Sequence, residues 1–197
     1  MMAWAANVRT SAVLGAVSGA LLLAACSGQS GKADDQAASQ PSAETLAALV
    51  SQANDLSVVS ATLKDAGLAQ VFDGVAAYTL LAPQDSVFES LGETGETLRS
   101  AEQRPAMVAV LRDHIVPGYL TPGDIAKAIE LDDDGKVAMK TMAGHTLTFA
   151  SAGDAITATG EDGATVRFAG KPLLASNGVA IPVDGLAVDV GDGAAAQ

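Results

Sequence analysis

The sequence predicts a single α+β domain, and three observations support this prediction. From Ser42 onward, apolar residues recur at helical spacing through the first half of the chain. From Lys136 onward, short β-prone runs alternate with Gly, Asp and Asn turns. One further β-prone run, residues 77–81, lies among the predicted helices. Helices followed by strands are typical of α+β domains, and a chain of 197 residues accommodates one such domain with additional segments.

Two short amphipathic helices are expected first. After Ser42, Leu46 and Val50 repeat at helical spacing. A second helix is predicted after Asp55, and Gly67 is expected to end it because glycine adopts the left-handed conformation of a helix C-terminus without strain. Each helix is too short to bury much surface alone, so both are expected to pack against a sheet.

The stretch YTLLAPQDSVFESL predicts a strand, a turn and a helix. Pro83 closes the strand, and Asp85 is predicted to cap the N-terminus of the helix that contains Phe88. Leu80, Phe88 and Val179 are expected to share one core. The expected role of this stretch is to hold a sheet to a helix and not to carry chemistry.

The remaining elements follow from the same patterns. A longer helix is predicted at residues 104–114 and ends before Pro117 and Gly118, and another begins at Thr121 or Pro122. The last part of the chain is predicted to be β, with runs at residues 136–141, 145–151, 155–160, 164–170 and 178–188.

Charge and composition narrow the classes of function. The chain has 23 acidic and 11 basic residues and a formal net charge of −12. This charge does not suit binding to nucleic-acid phosphates, which requires clustered Lys and Arg, or electrostatic docking on anionic lipids. Aromatic residues make up only 4% of the chain, so the core is expected to consist mainly of Ala, Val, Leu and Ile. The sequence has no glycine-rich phosphate loop, CxxC pair or HExxH motif, and no cofactor is predicted.

Residues 1–25 are predicted to be a lipoprotein signal peptide. Arg9 precedes an Ala-rich apolar run that is shorter than the about 20 residues of a membrane span and ends in small residues. The sequence Leu-Ala-Ala-Cys that ends at Cys26 resembles the lipobox of bacterial lipoproteins, in which the cysteine thiol is diacylated and becomes the new N-terminus. Cys26 is the only cysteine and is expected to carry the lipid. Ser27 in the next position favours the outer membrane.

The rest of the chain divides into three predicted segments. Residues 26–41, which follow from the lipidated cysteine, are rich in Ser, Gly, Gln and Ala and predict a flexible tether. Residues 42–190 are predicted to form the folded domain, and residues 191–197 a disordered tail. The mature protein is therefore expected to be a globular domain that two acyl chains hold to the cell envelope, facing the cell surface or the periplasm.

Three segments resemble the fasciclin domain. YTLLAPQDSVFESL is similar to the first conserved segment of that family, LRDHIVPGYLTPGDI to its central segment and SNGVAIPVDGLAV to its last one. They occur in the family's order and span nearly all of the predicted domain. The motif residues that the resemblance assigns are Pro83, Asp85, Phe88, His114, Pro117, Gly118, Asn177, Gly178, Asp184 and Gly185.

The resemblance implies a single wedge-shaped β-sandwich with helices packed over it, of a kind that serves adhesion and protein contact on cell surfaces and in extracellular matrices. Two positions depart from the family. Some animal members have a Tyr-His pair that is implicated in integrin contact, whereas Asp113 precedes His114 here. Pro182 occupies a position usually taken by His or another strand-forming residue. Because proline cannot donate to a ladder, its strand is expected at a sheet edge or in a bulge.

The candidate catalytic and metal-binding residues have simpler structural interpretations. His114 could act as a general base or metal ligand, but a structural histidine with its ring bonded to backbone is favoured because no partner stands at a recognisable spacing. His145 has even less context. The acidic run 132–135 lacks the pattern of a calcium loop and is interpreted as a solvated turn. Asp85 and Ser86 do not form part of a nucleophile elbow.

These observations favour a non-enzymatic, lipid-anchored binding module for adhesion or matrix contact, with a protein or polysaccharide as partner. A structural or ligand-binding lipoprotein that faces the periplasm is the alternative. An enzyme is disfavoured because no catalytic constellation is visible. The sequence does not specify the partner or the oligomeric state.

Overall fold

Residues 41–191 are described by the computed structural model, and this part of the chain contains seven helices and eight strands. The predicted signal peptide, Cys26 and the tether up to residue 40 lie outside the described residues, as does the tail from residue 192. The helices are α1 (Leu46–Gln52), α2 (Ser57–Asp65), α3 (Ala69–Phe72), α4 (Asp85–Ser90), α5 (Glu93–Leu98), α6 (Arg104–Asp113) and α7 (Pro122–Leu131). The strands are β1 (Tyr78–Pro83), β2 (Ile115–Pro117), β3 (Lys136–Lys140), β4 (Thr146–Ala152), β5 (Ala155–Thr159), β6 (Thr165–Arg167), β7 (Leu173–Leu174) and β8 (Gly178–Val183).

The α+β class is confirmed, and most predicted elements are present. The first helix begins later than the pattern after Ser42 suggested, because Thr45 caps it by accepting a hydrogen bond from the N–H of Ala48. Gly67 has a φ of +67° just beyond α2, as expected for a helix end. The sequence did not reveal α3, α5, β2 or β7, which have six residues or fewer and no clear periodicity. Among the helices of residues 41–191, none has the length and apolar character that a membrane span requires.

The strands form two four-stranded sheets. The first sheet has the order β2-β1-β8-β7, and β1 and β8 pair in parallel with Tyr78 opposite Gly178 and Pro83 opposite Val183. The second sheet has the order β3-β4-β5-β6, and each strand is antiparallel to its neighbour in sequence. The first sheet therefore joins distant parts of the chain, whereas the second is a local meander.

Two apolar clusters cover the two faces of the first sheet. The helix-side core lies between this sheet and α1, α2, α4, α5 and α6, and it includes Leu80 and Phe88. The inter-sheet core lies between the two sheets and under α7, and it includes Val179 and Phe149. The expectation that Leu80, Phe88 and Val179 share one core is therefore wrong for Val179. Leu80 is paired with Ala180, and side chains alternate along a strand, so Val179 faces the opposite side.

The proline strand does not lie at a sheet edge, as one of the two expected positions had it, because β8 lies inside the first sheet between β1 and β7. Pro182 itself is buried. Strand β7 pairs only as far as Ala180, and beyond it the carbonyl of Pro182 accepts a hydrogen bond from Ala169 at 2.8 Å. In a strand, the N and C=O of one residue point to the same side. The nitrogen of Pro182 therefore faces the side on which the pairing with β7 has already ended, and its missing N–H interrupts no regular ladder.

Asp85 caps a helix, but not the predicted one. Its carboxylate accepts hydrogen bonds from the N–H and hydroxyl of Ser57 and from the N–H of Val58, at 2.6–3.0 Å. These groups open α2, whose own N-cap residue, Leu56, supplies no side-chain bond. Gln84 is the N-cap of α4 and makes no capping bond there. Asp85 therefore fastens α4 to α2, because it satisfies donors of a helix that is distant in sequence.

Candidate binding site

Four of the ten motif residues, Pro83, Pro117, Gly118 and Gly178, lie along the seam where β1 meets β8 and β2. Gly178 must be glycine, because a Cβ there would lie 2.5 Å from the Tyr78 carbonyl oxygen. Gly118 has a φ of +113°, and its N–H donates to Ala77 while its carbonyl accepts from the buried Thr79 hydroxyl. Pro117 stands opposite Tyr78 at the other edge of the seam. These residues permit close backbone approach and offer no group for chemistry.

Asn177 joins three segments that are far apart in sequence. Its side-chain oxygen accepts a hydrogen bond from the N–H of Leu46 at 2.8 Å, at the start of α1. Its amide nitrogen donates to the carbonyls of Phe72 and Gly74 at the end of α3. The side chain therefore satisfies backbone groups that two helix ends leave without intrahelical partners.

The last motif residues join the two sheets. The carboxylate of Asp184 accepts a hydrogen bond from the N–H of Arg167 at 2.7 Å, and the Asp184 N–H donates to the Arg167 carbonyl. Gly185 follows within close contact of Val166, since a Cβ there would lie 3.1 Å from a Val166 methyl. These contacts attach the end of β8 to β6.

His114 is structural, as the sequence analysis favoured. It ends α6 and is fully buried. The N–H of Ala187 donates to Nε2 at 2.9 Å, which makes Nε2 an acceptor and places the proton on Nδ1, where it is donated to the carbonyl of Val110 at 2.8 Å. Burial lowers the pKa of His114, so the ring is neutral near pH 7. Its role is to hold the segment around Ala187 against α6.

That segment forms one wall of a cavity of about 280 Å³. The side chain of Asp113 lies in the cavity wall, and the residue is only 8% exposed. Its Oδ1 accepts hydrogen bonds from His145 Nδ1 at 2.7 Å and from the hydroxyl of Thr141 at 3.2 Å. His145, in contrast, is exposed. His145, for which the sequence offers little context, thus pairs its ring with a buried carboxylate 32 residues away in sequence.

Two further carboxylates, Glu161 and Asp162, line the cavity from the turn between β5 and β6. Hydrogen bonding from Thr146, through its side chain and its N–H, lowers the pKa of Glu161, and a hydrogen bond from the N–H of Asp189 lowers the pKa of Asp162. Both are therefore ionised at neutral pH. Lys140 is not one of the lining residues, but its exposed Nζ lies 3.8 Å from Glu161 Oε1. The lining itself carries three carboxylates and no lysine or arginine.

No sequence signal marks this arrangement. Asp113 ends a helix, His145 follows the β3–β4 turn and Glu161 lies in the β5–β6 turn, so the three side chains meet only through tertiary structure. The turn that places His145 is tight: Thr141 donates to the His145 carbonyl, and Gly144 has a φ of +96°. None of the ten motif residues lines this cavity.

A second cavity, of about 350 Å³, lies between α2 and α6. Its rim holds Arg104, which pairs with Asp65 at 3.4 Å, and both side chains are about half exposed. Exposed pairs of this kind contribute little energy, so this cavity has no buried charge that requires a partner. Within residues 41–191, no cluster of three or more His, Cys, Asp and Glu side chains has the geometry of a metal site. The Asp132 carboxylate instead accepts from the N–H groups of Asp134 and Lys136 in its own turn.

Comparison with known proteins identifies the class. The family model of the fasciclin domain matches residues 54–188, more than half of the chain, and the chain therefore belongs to the fasciclin-domain family. Domains of this family are non-catalytic binding modules associated with adhesion-type binding. The structure superposes on a FAS1 domain pair from the insect cell adhesion molecule fasciclin I with a TM-score of 0.64, over 74% of this chain and 51% of that one. At 13% sequence identity, this likeness concerns the fold alone.

One curated relative is Protein sll1483 from Synechocystis sp., which is 29% identical over 113 residues. The match covers 57% of this chain and 58% of that protein. The chain thus spans between half and two thirds of the length of each of these two relatives.

Proposed function

We propose that this chain is a lipid-anchored binding module of the cell envelope, whose fasciclin domain makes adhesion-type contacts with a protein partner. The observation that carries the proposal is a fasciclin match over residues 54–188 in a chain that also contains the lipobox-like sequence ending at Cys26. A lipid at Cys26 keeps a binding module at a membrane surface, and residues 27–41 give it reach.

The charge of the chain supports a protein partner. Acidic residues outnumber basic ones by 23 to 11, which disfavours nucleic acid and anionic lipid surfaces as binding partners. The seam residues are occupied in holding the fold together. The loops and turns around the sheets, including the β3–β4 and β5–β6 turns, are therefore the parts of the domain available for contact.

The anchor is tested with the full-length protein and a Cys26→Ser variant in cells. The unmodified chain is expected to incorporate radiolabelled palmitate and to fractionate with membranes, whereas Cys26→Ser does neither. A membrane-bound Cys26→Ser protein would overturn the lipid anchor.

The orientation is tested by protease treatment of cells that express the epitope-tagged protein. Digestion on intact cells is expected, because adhesion requires the domain to face outward. Protection until the outer membrane is opened would overturn the adhesive role and favour a structural or ligand-binding lipoprotein in the periplasm.

A further inference from the structure

The cavity beside His145, defined by Asp113, Thr141, His145, Leu147, Glu161 and Val188, combines carboxylates with apolar side chains. Asp113 is the buried charge at this place. Its hydrogen bonds from His145 and Thr141 both end on Oδ1, so Oδ2 remains free to accept a further donor. A buried carboxylate is costly unless its oxygens are paired or hydrogen-bonded, and here only Oδ1 has side-chain donors.

The shape of the cavity limits the size of the ligand. Its volume of about 280 Å³ lies just below the range of about 300–1,000 Å³ in which drug-sized ligands bind. The wall includes Leu147, Ala187 and Val188 as well as the polar groups. One long side chain with an apolar stem and a polar end fits this combination, because lysine and arginine bury their methylene groups against apolar surface and keep the charged head on polar partners.

The charged side chains of the cavity indicate that its ligand carries a positive charge. Glu161 and Asp162 add two carboxylates to Asp113, whereas the basic side chains shown within salt-bridge distance of these three residues, in the described part of the chain, are Lys140 beside Glu161 and His145 beside Asp113. Both oxygens of Asp162 accept backbone N–H groups, from Ala164 and Asp189. Oε1 of Glu161 accepts from the N–H of Thr146 and lies near Lys140, so Oδ2 of Asp113 and Oε2 of Glu161 remain as the acceptors for an incoming group.

We propose that this cavity binds the cationic side chain of an arginine or lysine presented by a partner protein, with the ammonium or guanidinium group on Asp113 and Glu161 and the stem on Leu147 and Val188. The inference rests on the proposed adhesive function and specifies the chemistry of the contact. Arginine suits the site because its planar fork can donate to two carboxylates at once.

The test uses the full-length protein in detergent and a short blocked peptide with one central arginine. A matched peptide carries citrulline, which has nearly the same shape and no charge. Binding is followed by calorimetry and by the NMR signals of the His145 ring. The arginine peptide is expected to bind at least about tenfold more tightly than the citrulline peptide, as for a hydrogen-bonded ion pair, and to shift the His145 signals.

Variants locate the contact. Glu161→Gln is expected to weaken arginine-peptide binding about tenfold, and because Glu161 is exposed its replacement leaves the fold intact. Lys140→Met removes a competing positive charge and is expected to strengthen binding several-fold. Glu130→Gln on α7 changes the net charge equally, lies outside the cavity and is expected to change binding less than twofold.

Equal binding of the arginine and citrulline peptides, or equal effects of Glu161→Gln and Glu130→Gln, would overturn the proposal. Free butylammonium that binds as tightly as the peptide would overturn the assignment to a partner protein and indicate a small amine instead. The adhesive function is tested separately, by the protease treatment of intact cells. If the arginine peptide does not bind while the protease test still places the domain outside the cell, only the cavity assignment is wrong.

Discussion

In the first sheet, β1 and β8 are buried on both faces, whereas in the second sheet the strands bury one face and expose much of the other. Every residue of β8 is buried, and so is every residue of β1 after Tyr78. In β4, by contrast, only Leu147 and Phe149 are fully buried, Thr148 between them is half-buried, and the last two residues are exposed. The difference follows from the layers, because the first sheet lies between two cores and the second sheet borders only one.

The two sheets also differ in how far apart in sequence their paired strands are. The second sheet is closed by short turns between sequence neighbours, whereas the first depends on contacts across about a hundred residues. Side chains reinforce these distant contacts: Asn177 reaches α1, Asp85 reaches α2, and His114 reaches the C-terminal segment. The sheet whose paired strands are farthest apart in sequence is therefore also the sheet that these side-chain hydrogen bonds fasten to distant segments.

The largest expected effect tests the two-sided burial directly. Leu80→Ala and Leu81→Ala, on opposite faces of β1, are each expected to lower the free energy of unfolding by about 2–5 kcal/mol, because each leaves a cavity in a different core. Thr148→Ala, on the open face of β4, is expected to change it by no more than about 0.5 kcal/mol. Chemical denaturation measures all three. If one of the two leucine variants costs as little as Thr148→Ala, the first sheet is not buried on both faces.

The next effect concerns the tie between β8 and α1. Asn177→Ala leaves the N–H of Leu46 and the carbonyl of Phe72 without this partner, so a loss of about 1–3 kcal/mol is expected. Hydrogen exchange should show faster exchange in α1 and little change in β4. Uniform acceleration in both regions would contradict a local tie.

A somewhat smaller loss is expected for the tie between α4 and α2. Asp85→Ala removes three hydrogen bonds at the start of α2 and is expected to cost about 1–2 kcal/mol in thermal or chemical unfolding. Glu89→Ala, which removes an exposed carboxylate from the same helix α4, serves as the control and is expected to be neutral within about 0.5 kcal/mol. Equal stability of the two variants would argue that Asp85 is not a cap.

The smallest effect is a dependence on pH. Burial holds the pKa of His114 below its ordinary value of 6.5, so below that pH the unfolded chain binds a proton that the folded chain does not. This group therefore lowers stability as the pH falls below about 6.5, by at most about 1.4 kcal/mol per pH unit, and contributes no change above it.

The control is His114→Gln, whose amide can both donate and accept but does not titrate in this range. The variant is expected to be less stable than the unmodified protein at pH 7, yet to lose less stability between pH 7 and pH 5. His145 is present in both proteins, so its contribution cancels from the difference. Parallel pH profiles would show that His114 does not contribute to the dependence.

The second sheet and the long helices could be predicted from sequence because their signals are local. Alternation of apolar residues at period two marks β4. The start of α7 is encoded by the capping box that Thr121 and Asp124 form and by Pro122 in the first turn. The family resemblance could be recognised as well, since its three segments are contiguous stretches. Asp85 was correctly predicted to be a helix cap, but the prediction named the wrong helix. A cap on a helix that is distant in sequence cannot be recognised from the spacing of residues.

The α+β class and the fasciclin family could be predicted from the sequence, since each depends on local pattern or on recognisable motifs, and a His114 ring bonded to backbone was favoured there. Only the tertiary structure decided that Val179 and Leu80 belong to different cores and that Pro182 lies inside a sheet. It also decided that Asp113, His145 and Glu161 line one cavity. The physical reason is shared: strand register and the packing of turns bring together residues from tens to a hundred positions apart, and periodicity along the chain carries no information about which of them meet.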